Sequence, residues 1–282
     1  MMRHSTHKKI IIANVRTFKG VISKRWSIQK KYPLSLLFWF IFPILFMLPV
    51  IIFGSVLVGD RYSDNLMKIA GYSDIWTYSG LGLIYFNFLL SITWHTSYAI
   101  RDEEFLGTLE SYYVTPSSKI AYTMANGLYA ILLNGFTVSI QLLFLFSISP
   151  NLFRSGIIFA LIYILVGIIF IQGITFIFSA AVLTFKNGWR IVFTFEVLLG
   201  LFTPIAYPIA ILPTNLQKIS IYSPFTIGVD GFRNSLIFGP NSINIGDIFI
   251  LLTWGVCVLI LGTKVYSKQE KRIRKKGTLG QY

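Results

Sequence analysis

The sequence predicts an all-α integral membrane protein. It has six transmembrane helices, an N-terminal interfacial amphipathic helix, a short cytoplasmic helix between helices 2 and 3, and re-entrant short helices before helix 6. Three observations predict this: few charges, six long apolar runs, and basic residues gathered on one side of those runs. Of 282 residues, 54% are hydrophobic and only 13% charged. A soluble domain carries about 25% charged residues, so the charge deficit excludes one more firmly than the apolar excess does.

A bilayer core needs roughly 20 apolar residues in a helix. Six runs qualify, at 34–58, 78–100, 120–148, 156–184, 188–211 and 245–267. Backbone polar groups in lipid must be satisfied within the segment, so each run is helical. Their continuity, without alternation, excludes a membrane β-barrel. The chain reads as a basic tail with an amphipathic helix (1–33), a six-helix transmembrane domain (34–267) and a basic cytoplasmic tail (268–282). No cleavable signal peptide is expected, because the first apolar run begins near Leu34.

The net charge of +14 does not point to nucleic acid. The basic residues cluster at the chain ends and beside the apolar runs. Twenty fall on the side of the two termini and five on the other, which places both termini in the cytoplasm of a cell (plasma or inner) membrane protein. Such a basic face also suits membrane lipid. Cys257 is the one cysteine, so no intrachain disulfide forms.

Ahead of the first run, Ile11, Val15, Phe18, Ile22 and Trp26 recur at helical spacing, with Lys9, Arg16 and Lys24 elsewhere. This predicts a basic amphipathic helix lying in the membrane interface.

Two segments between the runs carry most information. The first is Arg101-Asp102-Glu103-Glu104-Phe105-Leu106-Gly107-Thr108-Leu109-Glu110, ending at Thr115-Pro116, with four of the chain's eleven acids on a basic face. Thr108 is placed to cap a short helix and Pro116 to stop it. A helix held between two spans is a lever, although a solvated acidic loop fits the same residues. The second runs from Thr203 to Gly239, where Pro204, Pro208, Pro213 and Pro224 interrupt any continuous helix. It stays apolar, which predicts short helices dipping into the outer leaflet and returning. Asp230 and Arg233 are three apart, within pairing range on one helical face. Both a structural ion pair and a substrate contact suit them, with Thr226 alongside.

Gly107-Thr108-Leu109-Glu110 with Thr115-Pro116 resembles the cytoplasmic coupling segment of type-2 ATP-binding-cassette exporter permeases. Ser223-Pro224-Phe225-Thr226, with Val229-Asp230, Arg233 and Gly239, resembles the signature before the last span of that family, with serine where the family usually has asparagine. The Pro-Phe-Thr pattern is similar to drug and lipo-oligosaccharide exporters. Thr203-Pro204-Ile205-Ala206-Tyr207-Pro208 looks more like permeases for lipid-linked polysaccharides. The resemblance covers nearly the whole chain. It implies a transport subunit that is not itself an enzyme and carries no cofactor. ATP and Mg would be bound by a separate ATP-binding-cassette ATPase subunit docking on Arg101, Glu103, Glu104 and their neighbours. It also implies a second permease chain, a homodimer in preference to a heterodimer.

Within the spans, Glu196 and His95 stand out. A carboxylate at such depth costs on the order of 3 kcal/mol unless paired, protonated or wetted. Asn87, His95, Asn134, Gln141 and Gln172 are placed to join helices by hydrogen bonds. The chain has no phosphate-binding Gly-x-x-x-x-Gly-Lys-Ser/Thr loop. No His, Cys or carboxylate set has metal-ligand spacing. One alternative is a membrane-embedded enzyme acting on a lipid substrate, which would need polar residues converging at one membrane face; another is a non-transporting membrane subunit, such as a sensor or assembly factor.

Overall fold

The computed structural model describes residues 2–115, 118–149, 152, 156–185 and 188–276, the backbone alone for 2–11, 57, 58, 110, 274 and 276. Twelve α-helices occur among the described residues: α1 Met2–Lys31, α2 Pro33–Val58, α3 Asp64–Ala70, α4 Ile75–Ser97, α5 Ala99–Phe105, α6 Leu109–Val114, α7 Lys119–Ile148, α8 Ile157–Thr184, α9 Trp189–Phe202, α10 Thr214–Ile221, α11 Pro224–Phe238 and α12 Ile245–Lys276. Five are long and apolar enough to cross a bilayer: α2, α4, α7, α8 and α12. The shortest of these, α4, has 23 residues, about 35 Å of helix at 1.5 Å per residue. These helices make the chain membrane-embedded.

The fifth apolar run departs from its expected form. In place of a continuous helix over 188–211, α9 has 14 residues, about 21 Å of helix. It stops because Thr203 precedes Pro204 and adopts an extended conformation (φ −102°, ψ 136°), as the residue before proline prefers. A 3-10 turn over Ile209–Ile211 follows, then α10 and α11.

α4 is the central post, with Leu81, Ile84, Leu89 and Ile92 buried against α2, α7, α8 and α11. α8 and α12 run together at closest range. A Cβ on Gly262 would overlap the Gly173 carbonyl, and one on Gly173 would overlap the backbone at Leu259. Glycines at a helix crossing let two backbones touch, the way membrane helices associate. A second core, of Ala99, Tyr112, Tyr122, Phe176 and Tyr266, joins α5 and α6 to α7, α8 and α12 at one end of the bundle.

α1 packs at that same end. Val21 is buried and Phe18 packs beside it, whereas Val15 and Trp26, expected on the apolar face, are exposed. Lys24 and Arg25 instead turn inward to α5. The packed face of α1 is thus rotated from the apolar stripe, because two ion pairs compete with that stripe for the inward position.

Candidate functional site

Among the described residues, three polar constellations hold the side chains singled out from the sequence, and a fourth joins Arg61, Asp74, Thr77 and Ser149. The first is at the α5–α6 end. Glu103 is buried, 4% exposed, and Lys24 donates to both its carboxylate oxygens at 2.6 and 2.7 Å. The hydroxyls of Tyr122 and Thr108 also donate to it. Next to it, Arg25 pairs with Asp102 at 2.8 Å and donates to the Asn126 side-chain oxygen at 2.9 Å. Burial pushes the Glu103 carboxyl up, but Lys24, Thr108 and Tyr122 together outweigh this and hold it below the usual glutamate value. The segment is therefore not a solvated acidic loop. Two of its acids bolt α1 to the bundle.

Other residues of the segment differ in part from expectation. Thr108 occupies the N-cap of α6, but its hydroxyl makes no capping bond. It donates to Glu103 instead, because a buried carboxylate needs every donor within reach. Gly107 makes the reversal between α5 and α6 at φ 68°, a conformation glycine adopts without strain. Arg101 and Glu104 pair with each other at 2.6 Å. Leu109 packs on the second core, and the Thr115 hydroxyl donates to the Tyr112 carbonyl at 2.6 Å. Pro116 and the Glu110 side chain lie outside the described residues. Lys119, one of the twenty basic residues on the side of the termini, is buried with its ammonium 3.9 Å from the Tyr112 ring centre. Large apolar side chains stand outward there, with Phe105 80% exposed and Val114 85%, and Leu106 exposed next to Phe105, among the exposed Thr108, Ser111 and Thr115.

The second constellation centres on Arg233, 1% exposed. Its guanidinium pairs with Asp230 at 2.9 Å, as their spacing predicts. It also donates to the carbonyls of Tyr78 at 3.1 Å, Pro204 at 2.6 Å and Ile205 at 2.7 Å, and lies 3.7 Å from the Tyr78 ring centre. The reason is in the sequence. In a continuous helix the Pro204 carbonyl would accept from residue 208, but that residue is Pro208 and has no N–H. Arg233 supplies the missing donor. Four N–H bonds from one side chain thus tie α11, α4 and the broken backbone after α9.

Gly82 makes this possible. A Cβ there would overlap both the Ile205 carbonyl and the Arg233 guanidinium. Gly82→Ala should therefore destabilise the fold by about 1–3 kcal/mol, the usual cost of overpacking. Gly135, with open space at its Cβ position, is the control in the same thermal melt. Equal melting shifts for the two variants would contradict the close approach.

The remaining prolines position the hairpin that follows. Pro213 is the N-cap of α10 and Pro224 the first residue of α11, where its fixed φ suits a helix start. Thr226 is buried, its hydroxyl 3.4 Å from that of Ser220, which also donates to the Phe202 carbonyl. Phe225 packs edge-on against Phe170, midway along α8. From there α11 runs along α8, with Gly231 against Tyr163 and Ser235 against Gly156.

The third constellation holds the two ionisable residues picked out within the apolar runs. Glu196 on α9 accepts from the Trp94 indole of α4 at 2.9 Å. His95 bonds the Ser91 carbonyl through Nδ1 at 2.8 Å and packs on Trp39, ring centres 4.9 Å apart. Both line one cavity. Of the amides expected to join helices, Asn134 bonds the carbonyl of Ala130 within its own helix, and Gln172 bonds Thr175 one turn on.

Sequence reasoning missed Lys24, Arg25, Tyr122 and Asn126 as partners of the acidic segment. The adjacent Lys24-Arg25 and Asp102-Glu103 pairs are a complementary signal that could have linked α1 to α5. Among the described residues no group of three or more His, Cys, Asp and Glu is placed to hold a metal ion. Compared with known proteins, the chain matches no family model and no curated sequence.

Proposed function

We propose that this chain is the membrane-spanning permease subunit of an ATP-binding-cassette exporter. A separate ATPase subunit drives it, and its cargo is an amphipathic or lipid-linked compound. One observation carries the reading: α5 is tied to α1 by two part-buried ion pairs and to α7 by the Tyr122 hydrogen bond, with Asn126 of α7 also holding Arg25 of α1, yet the α5–α6 segment leaves Phe105, Leu106 and Val114 exposed. A partner gripping that tip moves several membrane helices at once. A merely connecting loop needs neither the buried charges nor the bare apolar residues.

On this reading the α5–α6 end is cytoplasmic, in keeping with the 20-to-5 basic asymmetry. α9 rises from that side and the α10–α11 hairpin completes a sixth crossing as a re-entrant unit, so both termini are cytoplasmic in the cell membrane. α2 exposes Phe38, Phe42, Phe46 and Phe53, a face suited to lipid or to a second copy in a homodimer. ATP and Mg belong to the partner subunit.

Purification of the tagged chain from membranes in mild detergent tests the reading. A polypeptide that hydrolyses Mg-ATP should accompany it in equal amount, and Phe105→Asp should cut its recovery at least tenfold while leaving the chain's own yield unchanged. Full recovery with the aspartate in place, or a purified chain with no such companion, contradicts the proposal.

A further inference from the structure

The cavity holding Glu196 has a composition that the coupling element and the Arg233 clasp do not explain. It measures about 280 Å³, near the lower end of the range for small-molecule sites. Asn87, His95, Gln141 and Glu196 line it, and Trp39 and Phe42 of α2 form part of its aromatic wall. No lysine or arginine lines it.

Three features indicate what it would hold. Among the described residues, Glu196 has only the Trp94 indole as a hydrogen-bond donor, and no cation pairs with it. A carboxylate among apolar helices needs a cation, a proton or water. Gln141 is 1% exposed and its amide nitrogen has no partner, although buried donors in native proteins nearly always have one. Finally, the electron-rich faces of aromatic rings attract ammonium and phosphonium groups, and Phe42 is 63% exposed, so that wall stands open at the side of the bundle.

We propose that the cavity lined by Glu196, Gln141, Trp39 and Phe42 binds an amphipathic organic cation, its charged head against the Glu196 carboxylate and its apolar body on the aromatic wall. The unpartnered Gln141 amide suits an oxygen acceptor on the same ligand. Two sources share this chemistry: a free amphipathic cation, and the amine headgroup of a membrane phospholipid. That the bound cation is cargo rests on the exporter reading. That the site binds a cation does not.

The test uses the full chain in lipid nanodiscs without any ATPase, so a failed exporter reading leaves its outcome untouched. The probe is radiolabelled methyltriphenylphosphonium in equilibrium dialysis, with empty nanodiscs subtracted and neutral 1,1,1-triphenylethane as competitor. Wild type should bind one probe per chain, saturably, with no competition from the neutral isostere at equal concentration. Glu196→Gln keeps an acceptor for Trp94 and removes the charge; it should weaken binding at least tenfold. Phe42→Ala, at an exposed position that folding does not need, should weaken it at least threefold.

Discs of phosphatidylglycerol alone against discs containing phosphatidylethanolamine separate the sources. Weaker probe binding in the second, seen in wild type and absent in Glu196→Gln, identifies the lipid amine. Equal binding in both identifies a free cation. Partition no greater than in empty discs, equal competition by the neutral isostere, or unchanged affinity in both variants would overturn the proposal.

Discussion

Arg233→Met should cost the folded chain about 2–6 kcal/mol, roughly 1–3 kcal/mol for each of the two carbonyls it strands. The methionine fills much of the space but leaves the Pro204 and Ile205 carbonyls without donors, each a buried polar group stripped of its partner. Asp230→Asn should cost far less, about 1 kcal/mol, because Asp230 is a third exposed and Arg233 keeps three carbonyls. The double variant should melt with Arg233→Met alone. Thermal unfolding of the four proteins in one detergent decides it. Equal losses in the two single variants would mean that the ion pair, and not the carbonyl clasp, is what matters.

Glu103→Gln should release α1 from the bundle at a cost of about 2 kcal/mol, below the full value for a buried pair because Lys24 is 39% exposed and partly screened. Amide hydrogen exchange over residues 12–31 should then speed up by about thirtyfold, the factor that 2 kcal/mol implies. The pH dependence follows from the lowered carboxyl. A glutamate whose folded value is depressed contributes fully above its unfolded value, about 4.3, and loses that contribution as pH falls through the folded value. Protection of α1 should therefore hold through neutral pH and fail only in acid below the ordinary glutamate range. The glutamine variant should show no such step. Protection unchanged by the substitution would return the acidic segment to a solvated connection.

Both variants probe features that the sequence showed only halfway. The spacing of Asp230 and Arg233 was legible because a helix places them together, and the contact forms. The larger role of Arg233 was not, since it depends on Pro208 lacking an N–H and on Gly82 letting the chain approach. These residues lie as far apart in sequence as 82 and 233 and meet only after α4, α9 and α11 have packed. The five long helices were legible from apolar length alone, because lipid leaves few alternatives. The run 188–211 was not, because hydropathy ignores the conformation that Pro204 imposes on Thr203. In the acidic segment, charge pattern placed the acids correctly and misjudged their surroundings. A count of charges does not reveal that Lys24 and Arg25 lie one helix away, nor that Tyr122 and Thr108 complete the shell around Glu103.

The proposed exporter reading makes the α5–α6 tip the handle that an ATP-hydrolysing partner grips. Photo-crosslinking tests it most directly. A benzophenone amino acid replaces Phe105, 80% exposed at that tip, and native membranes are irradiated. One dominant adduct is expected, with a peripheral polypeptide that binds Mg-ATP, and it should be lost when the membranes are stripped of peripheral proteins. Adducts only with lipid, or only with a second copy of this chain, would contradict it.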